Sequence, residues 1–175
     1  QILGLLGPNG SGKTTTLGII LGLLKPNSGE VSIFESKDLD EMRKRCGVLL
    51  ESTTYYPDLT AAQNLKIVCE IKGVSPSTIE NLLERVGLIE EMHNKLKTFS
   101  LGMKQRLLIA SALVGNPELI ILDEPTNGMD PQGIIFIRDL IKELASDQLP
   151  KGNLFADNKF PYSFSDSTIL DKNNL

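Results

Sequence analysis

Near the start of the chain, Gly7-Pro8-Asn9-Gly10-Ser11-Gly12-Lys13-Thr14 brings together what is needed to hold a polyphosphate. It matches Gly-x4-Gly-Lys-Ser/Thr in full, and it stands between an apolar run and a helical pattern, the context the motif requires. Glycines let the backbone curl so that its N–H groups face one concavity, and the helix that follows adds its positive end. At this spacing Lys13 reaches the outer phosphates and the Thr14 hydroxyl reaches a divalent cation bound to them. Thr15 is the candidate for the innermost phosphate. A glycine-rich turn that preceded a helix by chance would rarely carry Lys and Thr in register.

A second group of residues supplies the partner chemistry. Leu119-Ile120-Ile121-Leu122-Asp123-Glu124 is an apolar run ending in two carboxylates, the mark of a buried parallel strand that opens onto a site. Asp123 would share the cation with Thr14. Glu124, one residue on, points elsewhere and can take a proton from an attacking water. Solvated acids at a strand end are common, so this pair gains meaning from the loop upstream. A third segment, Phe99-Ser100-Leu101-Gly102-Met103-Lys104-Gln105-Arg106, opens a helix shortly before that strand. Taken alone, Ser100 reads equally well as a helix N-cap.

These residues need elements that can position them. With 175 residues, 41% hydrophobic and 23% charged, the chain suits one globular domain. A net charge of −4 gives no basic stripe, so no nucleic-acid partner is expected. No apolar run approaches the ~20 residues that span a bilayer. Cys46 and Cys69 follow neither metal nor redox spacing and read as reduced structural thiols. The run Ile2-Leu3-Gly4-Leu5-Leu6 predicts a buried strand, 13–24 a helix, 30–34 a short strand and 46–50 another strand. Residues 60–115 are helical in pattern, broken at Gly73, Ser75-Pro76 and Gly87. Asp130-Pro131 starts a last helix as N-cap and first-turn proline, with Ile137, Leu140, Ile141 and Leu144 on its buried face. Strands separated by helical crossovers predict an α/β fold with a parallel sheet and ligands at the carboxyl ends of its strands.

The three motifs together resemble the ATP-binding cassettes of ABC transporters, over roughly residues 1–145. The segment at Ser100-Leu101-Gly102-Met103 is similar to the signature loop usually written LSGGQ, which in that family binds the γ-phosphate held by a second subunit. Glu124-Pro125-Thr126-Asn127-Gly128-Met129-Asp130-Pro131 looks like the loop after the catalytic acid, and Asp130 matches an aspartate that contacts the opposing subunit. Glu51 stands where most cassettes carry a glutamine that touches Mg²⁺ and the transmembrane partner. The resemblance implies a P-loop NTPase core with a helical subdomain at about 52–114, and ATP and Mg²⁺ as ligands. It implies Lys13 and Glu124 as catalytic groups and Thr14, Asp123 and Glu51 as metal ligands. It also implies a head-to-tail dimer and a permease partner at the cytoplasmic face of the membrane. Glu at 51, with Leu101 and Met103 in place of the signature's first Gly and its Gln, resembles the exporters of bacitracin and other antibiotics.

Some expectations concern the ends. Gln1 leads straight into a strand without an initiating Met, so the chain reads as a fragment whose adenine-stacking aromatic would lie upstream. Residues 1–148 are read as the cassette domain. After Asp147 neither a 3.6 nor a 2 period is evident, so 149–175 is expected to be an aberrant or disordered tail, with no strand after the last helix. A reading-frame shift would account for it: codons for Phe160-Pro161-Tyr162-Ser163-Phe164, read one nucleotide later, can spell Ser-His-Ile-Leu-Ser, as around the family's switch histidine. The one histidine present, His93, reads as a surface residue. Two other functions stay open on sequence alone. One is a soluble cassette acting on ribosomes; the other is a degenerate remnant that binds nucleotide without turnover.

Overall fold

A computed structural model describes residues 2–36, 38–50 and 54–146, and the backbone of two further strands at 152–157 and 168–170. Among the described residues five parallel strands form one sheet, in the order β2 (Cys46–Leu49), β3 (Leu119–Asp123), β4 (Gly152–Asp157), β1 (Ile2–Leu6) and β5 (Thr168–Leu170). Helix α1 (Lys13–Ile20) follows β1, and α2 (Leu39–Arg45) runs directly into β2. Helices α3 (Ala61–Lys72), α4 (Ile79–Arg85) and α5 (Leu101–Leu113) lie between β2 and β3, and α6 (Pro131–Ser146) follows β3.

Alternation along β3 sorts the core onto two faces. Ile120 and Leu122 pack with α5, α6 and the α3–α4 pair in the larger cluster, while Ile121 packs with Leu17 and Leu21 of the α1 segment. All three are at most 1% exposed, and burying each such side chain contributes about 1.5–3 kcal/mol. The buried face of α6 is the one its spacing predicts: Ile137, Leu140, Ile141 and Leu144 are all buried. Asp130 accepts a hydrogen bond from the Gly133 N–H at 2.7 Å and so caps that helix. Helix α3 starts with a reciprocal capping box between Thr60 and Gln63 and stops at Gly73 in the left-handed region.

The structure departs from the sequence expectations in four places. The first helix ends at Ile20 rather than at 24, because Gly22 turns the chain at φ 66°. Residues 30–34 form no strand; a single bridge joins Ile33 and Ser36 across a tight turn in which Phe34 and Glu35 have positive φ. Helix α2 was not anticipated. Its signal is charge rather than apolar period: Asp38 caps it through the N–H groups of Asp40 and Glu41, acids fill its first turn and Arg43, Lys44 and Arg45 its last.

The fourth departure concerns the expectation of no strand after the last helix. A strand does follow α6, and β4 lies between β3 and β1, with Phe155 in register with Leu122 and Ala156 with Leu5. A strand in mid-sheet need not alternate, and a three-residue apolar run between Asn153 and Asp157 is too short to show a period. Residues 160–164, on which the frame-shift reading rests, lie outside the described residues.

Candidate functional site

The phosphate loop leaves β1 at Leu6 and closes into α1 through Gly10 and Gly12, whose φ values of 78° and 92° suit glycine alone. The Ser11 N–H donates to the Pro8 carbonyl at 3.1 Å and tightens the curl. Lys13 is the first residue of α1 and is 8% exposed, with its ammonium donating to the carbonyls of Gly7 at 2.9 Å and Pro8 at 3.2 Å. Its charge is therefore drawn back across the mouth of the loop. Asn9, Gly10, Gly12, Lys13, Thr14 and Thr15 line a cavity of about 400 Å³, which Glu124 and Asn127 close from the other side.

Of the two acids at the carboxyl end of β3, Glu124 lines this cavity, and Asp123 is joined to it through Thr14. The Thr14 hydroxyl donates to Asp123 Oδ2 at 2.8 Å, joining the start of α1 to the end of β3. Asp123 is 2% exposed, and its other oxygen, Oδ1, is buried with no hydrogen-bond partner among the described residues. A buried carboxylate oxygen without a donor is costly, and a cation would satisfy it. One carboxylate and one hydroxyl are hard oxygen donors of the kind Mg²⁺ takes when phosphate oxygens and waters complete its shell. Among the described residues no three His, Cys, Asp or Glu side chains gather as a metal cage.

Glu124 departs from the strand at φ 48°, a left-handed conformation that a non-glycine residue holds only when its surroundings impose it. Glu124 lines both the phosphate cavity and, beside Asp123, a smaller hollow next to it. The turn that follows is pinned by Asn127 N–H to the Glu124 carbonyl at 3.0 Å and Met129 N–H to the Thr126 carbonyl at 3.2 Å, over the buried Thr126. Asn127 lines the cavity although motif spacing does not single it out. Its only sequence signal is a turn residue beside the motif.

The third motif lies apart from the phosphate loop. Ser100 caps α5, its Oγ accepting the Met103 N–H at 3.2 Å, so the N-cap reading of this serine holds. Ser100, Leu101, Gly102 and Met103 share a second hollow, of about 590 Å³, with Arg106, Asp130 and Phe136. None of the four lines the cavity around Lys13. Arg106 stiffens this corner: its guanidinium donates to the carbonyls of Val86 at 3.1 Å and Gly87 at 2.9 Å and lies 5.5 Å from the centre of the Phe136 ring. Glu51 lies outside the described residues. His93 is exposed, as expected.

A phosphate loop facing an Asp-Glu strand end, with a separate helix-capping serine segment, is the arrangement of a cassette. The ABC transporter family model matches residues 1–127. The chain belongs to that family. It is 49% identical over 152 residues to the bacitracin transport ATP-binding protein of Bacillus licheniformis, covering 85% of this chain and 50% of that protein. It is 45% identical over 149 residues to a lantibiotic transport ATP-binding protein of Streptococcus pyogenes, covering 84% and 64% respectively. The chain thus spans about half the length of the bacitracin relative. Among solved structures, a dimeric post-hydrolysis state of an ATP-binding cassette bound to ADP and Pi superposes with a TM-score of 0.81 at 29% identity, over 91% of this chain and 75% of that one. The cassette fold, a parallel P-loop sheet with helices on both faces, is common to both.

Proposed function

We propose that this chain is the nucleotide-binding core of a transport ATPase that binds ATP with Mg²⁺, hydrolyses it to ADP and phosphate, and powers an exporter of antibiotic-like compounds. The observation that carries the reading is the Thr14–Asp123 hydrogen bond beside the unpartnered Asp123 Oδ1, which Thr14 joins to a cavity that Lys13 and Glu124 also line. Residues 7–15 cradle the phosphates with backbone N–H groups and the start of α1. Lys13 exchanges its loop carbonyls for the β- and γ-phosphate oxygens. Thr14, Asp123 and Glu51 hold the cation, which when bound neutralises charge that builds on the phosphates. Glu124 orients the attacking water and accepts its proton.

The separation of the Ser100 segment from the phosphate cavity supports a head-to-tail pair in which Ser100, Leu101, Gly102 and Met103 serve the nucleotide of the other copy and Asp130 meets that copy directly. The helical segment at about 52–114 is read as the subdomain that faces a permease, with Glu51 just before it in the sequence, and the protein would then lie at the cytoplasmic face of the membrane. Similarity to bacitracin and lantibiotic transport proteins supports the exporter class.

Nucleotide titration of the full-length protein tests the site. Lys13→Ala removes a charge-assisted contact worth about 1.5–3 kcal/mol, so affinity for ATP should fall more than tenfold. Unchanged affinity would remove the phosphate loop from the proposal.

A further inference from the structure

The phosphate cavity and the Ser100 hollow are separated by a third, smaller one of about 240 Å³, lined by Asp123, Glu124 and Asn127 on one side and Gln105 and Leu108 of α5 on the other. Leu101 and Gly128 line both this hollow and the larger one that holds Ser100 and Asp130. They form the partition between the acids and the capping serine, and they touch. A Cβ built on Gly128 would lie 2.5 Å from Leu101 Cδ2 and 3.6 Å from its Cγ, so the leucine side chain sits directly over the glycine Cα. The glycine is at φ 72° in the turn that begins at Glu124. Leu101 is otherwise 56% exposed, and no chain segment among the described residues requires a large apolar side chain there for the core.

We infer that Leu101 is a positioning residue: resting on Gly128, it ties the Ser100 turn to the loop that orients Glu124 within the same subunit. The path is short. Leu101 is the first residue of the helix that Ser100 caps, and Gly128 is one residue beyond the Asn127 that hydrogen-bonds back to the Glu124 carbonyl. A displacement of the serine turn therefore presses on the side chain that supports this glycine from α5. The inference deepens the proposed function and rests on it. If Ser100 acts on the partner's nucleotide and Glu124 on its own, this contact lets occupancy of one composite site set the acid of the other.

The test uses the full-length protein and begins without nucleotide. Amide hydrogen exchange of residues 125–130 should speed at least tenfold in Leu101→Gly, stay within twofold in Leu101→Met, and leave residues 61–72 unchanged in both. Under saturating ATP and Mg²⁺, Leu101→Gly should lower kcat at least tenfold, a loss that Leu101→Met should partly reverse. A double-mutant cycle guards against loss of folding: Gly128→Ala should lower Tm more in the parent than in a Leu101→Ala background, the backbone strain at that φ being common to both. Unaltered exchange at 125–130, or an additive cycle, would overturn the inference. Exchange and the cycle need no nucleotide, so they test the contact even if the Lys13→Ala titration goes against the ATPase reading.

Discussion

The carboxamide of Asn64 holds the backbone of Tyr56 at both its polar groups. Its Oδ1 accepts the Tyr56 N–H at 2.8 Å, and its Nδ2 donates to the Tyr56 carbonyl at 3.0 Å and to the Thr60 carbonyl at 2.9 Å. Asn64 is 7% exposed, so its side chain acts as a piece of secondary structure for a segment that has none. Asn64→Ala would strand the Tyr56 N–H at about 1–3 kcal/mol, while the carbonyls of Tyr56 and Thr60 keep the N–H groups of Leu59 and of residue 64. The expected result is a lower midpoint in urea with an unchanged m-value, together with faster amide exchange at Tyr56. Exchange at Tyr56 that matches the parent would show that other groups shape the loop.

Asp123→Asn probes the cation. The variant keeps an acceptor for the Thr14 hydroxyl but loses the charge that makes Oδ1 a good ligand. Affinity for ATP should become nearly independent of Mg²⁺, while affinity measured in EDTA stays within about threefold of the parent, because roughly 0.7 kcal/mol separates such values. Strengthening by Mg²⁺ equal to that of the parent would move the cation elsewhere.

Glu124→Gln separates binding from turnover. Glutamine fills the same space without accepting a proton. Steady-state phosphate release should drop by at least about 10²-fold, the usual scale for a general base, with ATP still bound. Parental turnover would assign activation of the water to another group.

Ser100 has one role in the fold, as a cap, and a second in the proposed function. Replacing a serine cap by Gly costs only a few tenths of a kcal/mol, against roughly 1 kcal/mol for Ala. If capping were its whole contribution, Ser100→Gly would keep most activity. The trans role predicts that Ser100→Gly and Ser100→Ala lose activity alike, despite their different melting temperatures. Activity that follows stability across the two would leave Ser100 a cap only.

Cys46 gives a pH dependence with a definite sign. Burial pushes its thiol from the ordinary 9.0 up to about 11, against the pull of Lys72 and Arg45. In the unfolded chain the thiol ionises from about pH 9, while in the fold it stays protonated until about 11, so this contribution to stability is present below pH 9 and lost between pH 9 and 11. Burial lowers the pKa of Lys72, which works the other way over its own range, so the comparison must be with Cys46→Ala. Denaturant midpoints should fall more steeply from pH 9 to 10.5 in the parent than in that variant. Equal slopes would show that Cys46 ionises no differently in the fold than in the open chain.

What the sequence conveyed best was chemistry at fixed local spacing. The phosphate loop, the strand ending in Asp123 and Glu124, and the face of α6 each follow from a run of neighbours, and the fold reproduces them. Legibility fell where placement depends on distant residues. The short run at Gly152–Asp157 becomes a strand because β1 and β3 flank it, and no local period reports that. Phe34 and Glu35 turn the chain in left-handed conformations their residue types do not advertise. The Leu101–Gly128 contact joins two motifs that are separate along the chain, and only the folded chain brings them together.

The sheet order has a bearing on how the chain is made. β1 and β3 are not neighbours; β4 alone joins them, and it is synthesised after both. Among the described strands β1 pairs only with β4 and β5, so within this segment the strand and its phosphate loop wait for their backbone partners until residue 157 has left the ribosome. Long-range pairing of this kind is slow and leaves open edges in the interval. Nucleotide, if it binds the loop early, would meet a site that still lacks the register bringing Asp123 to Thr14. Competence for ATP would then arrive in a single step, when the central strand slots into place.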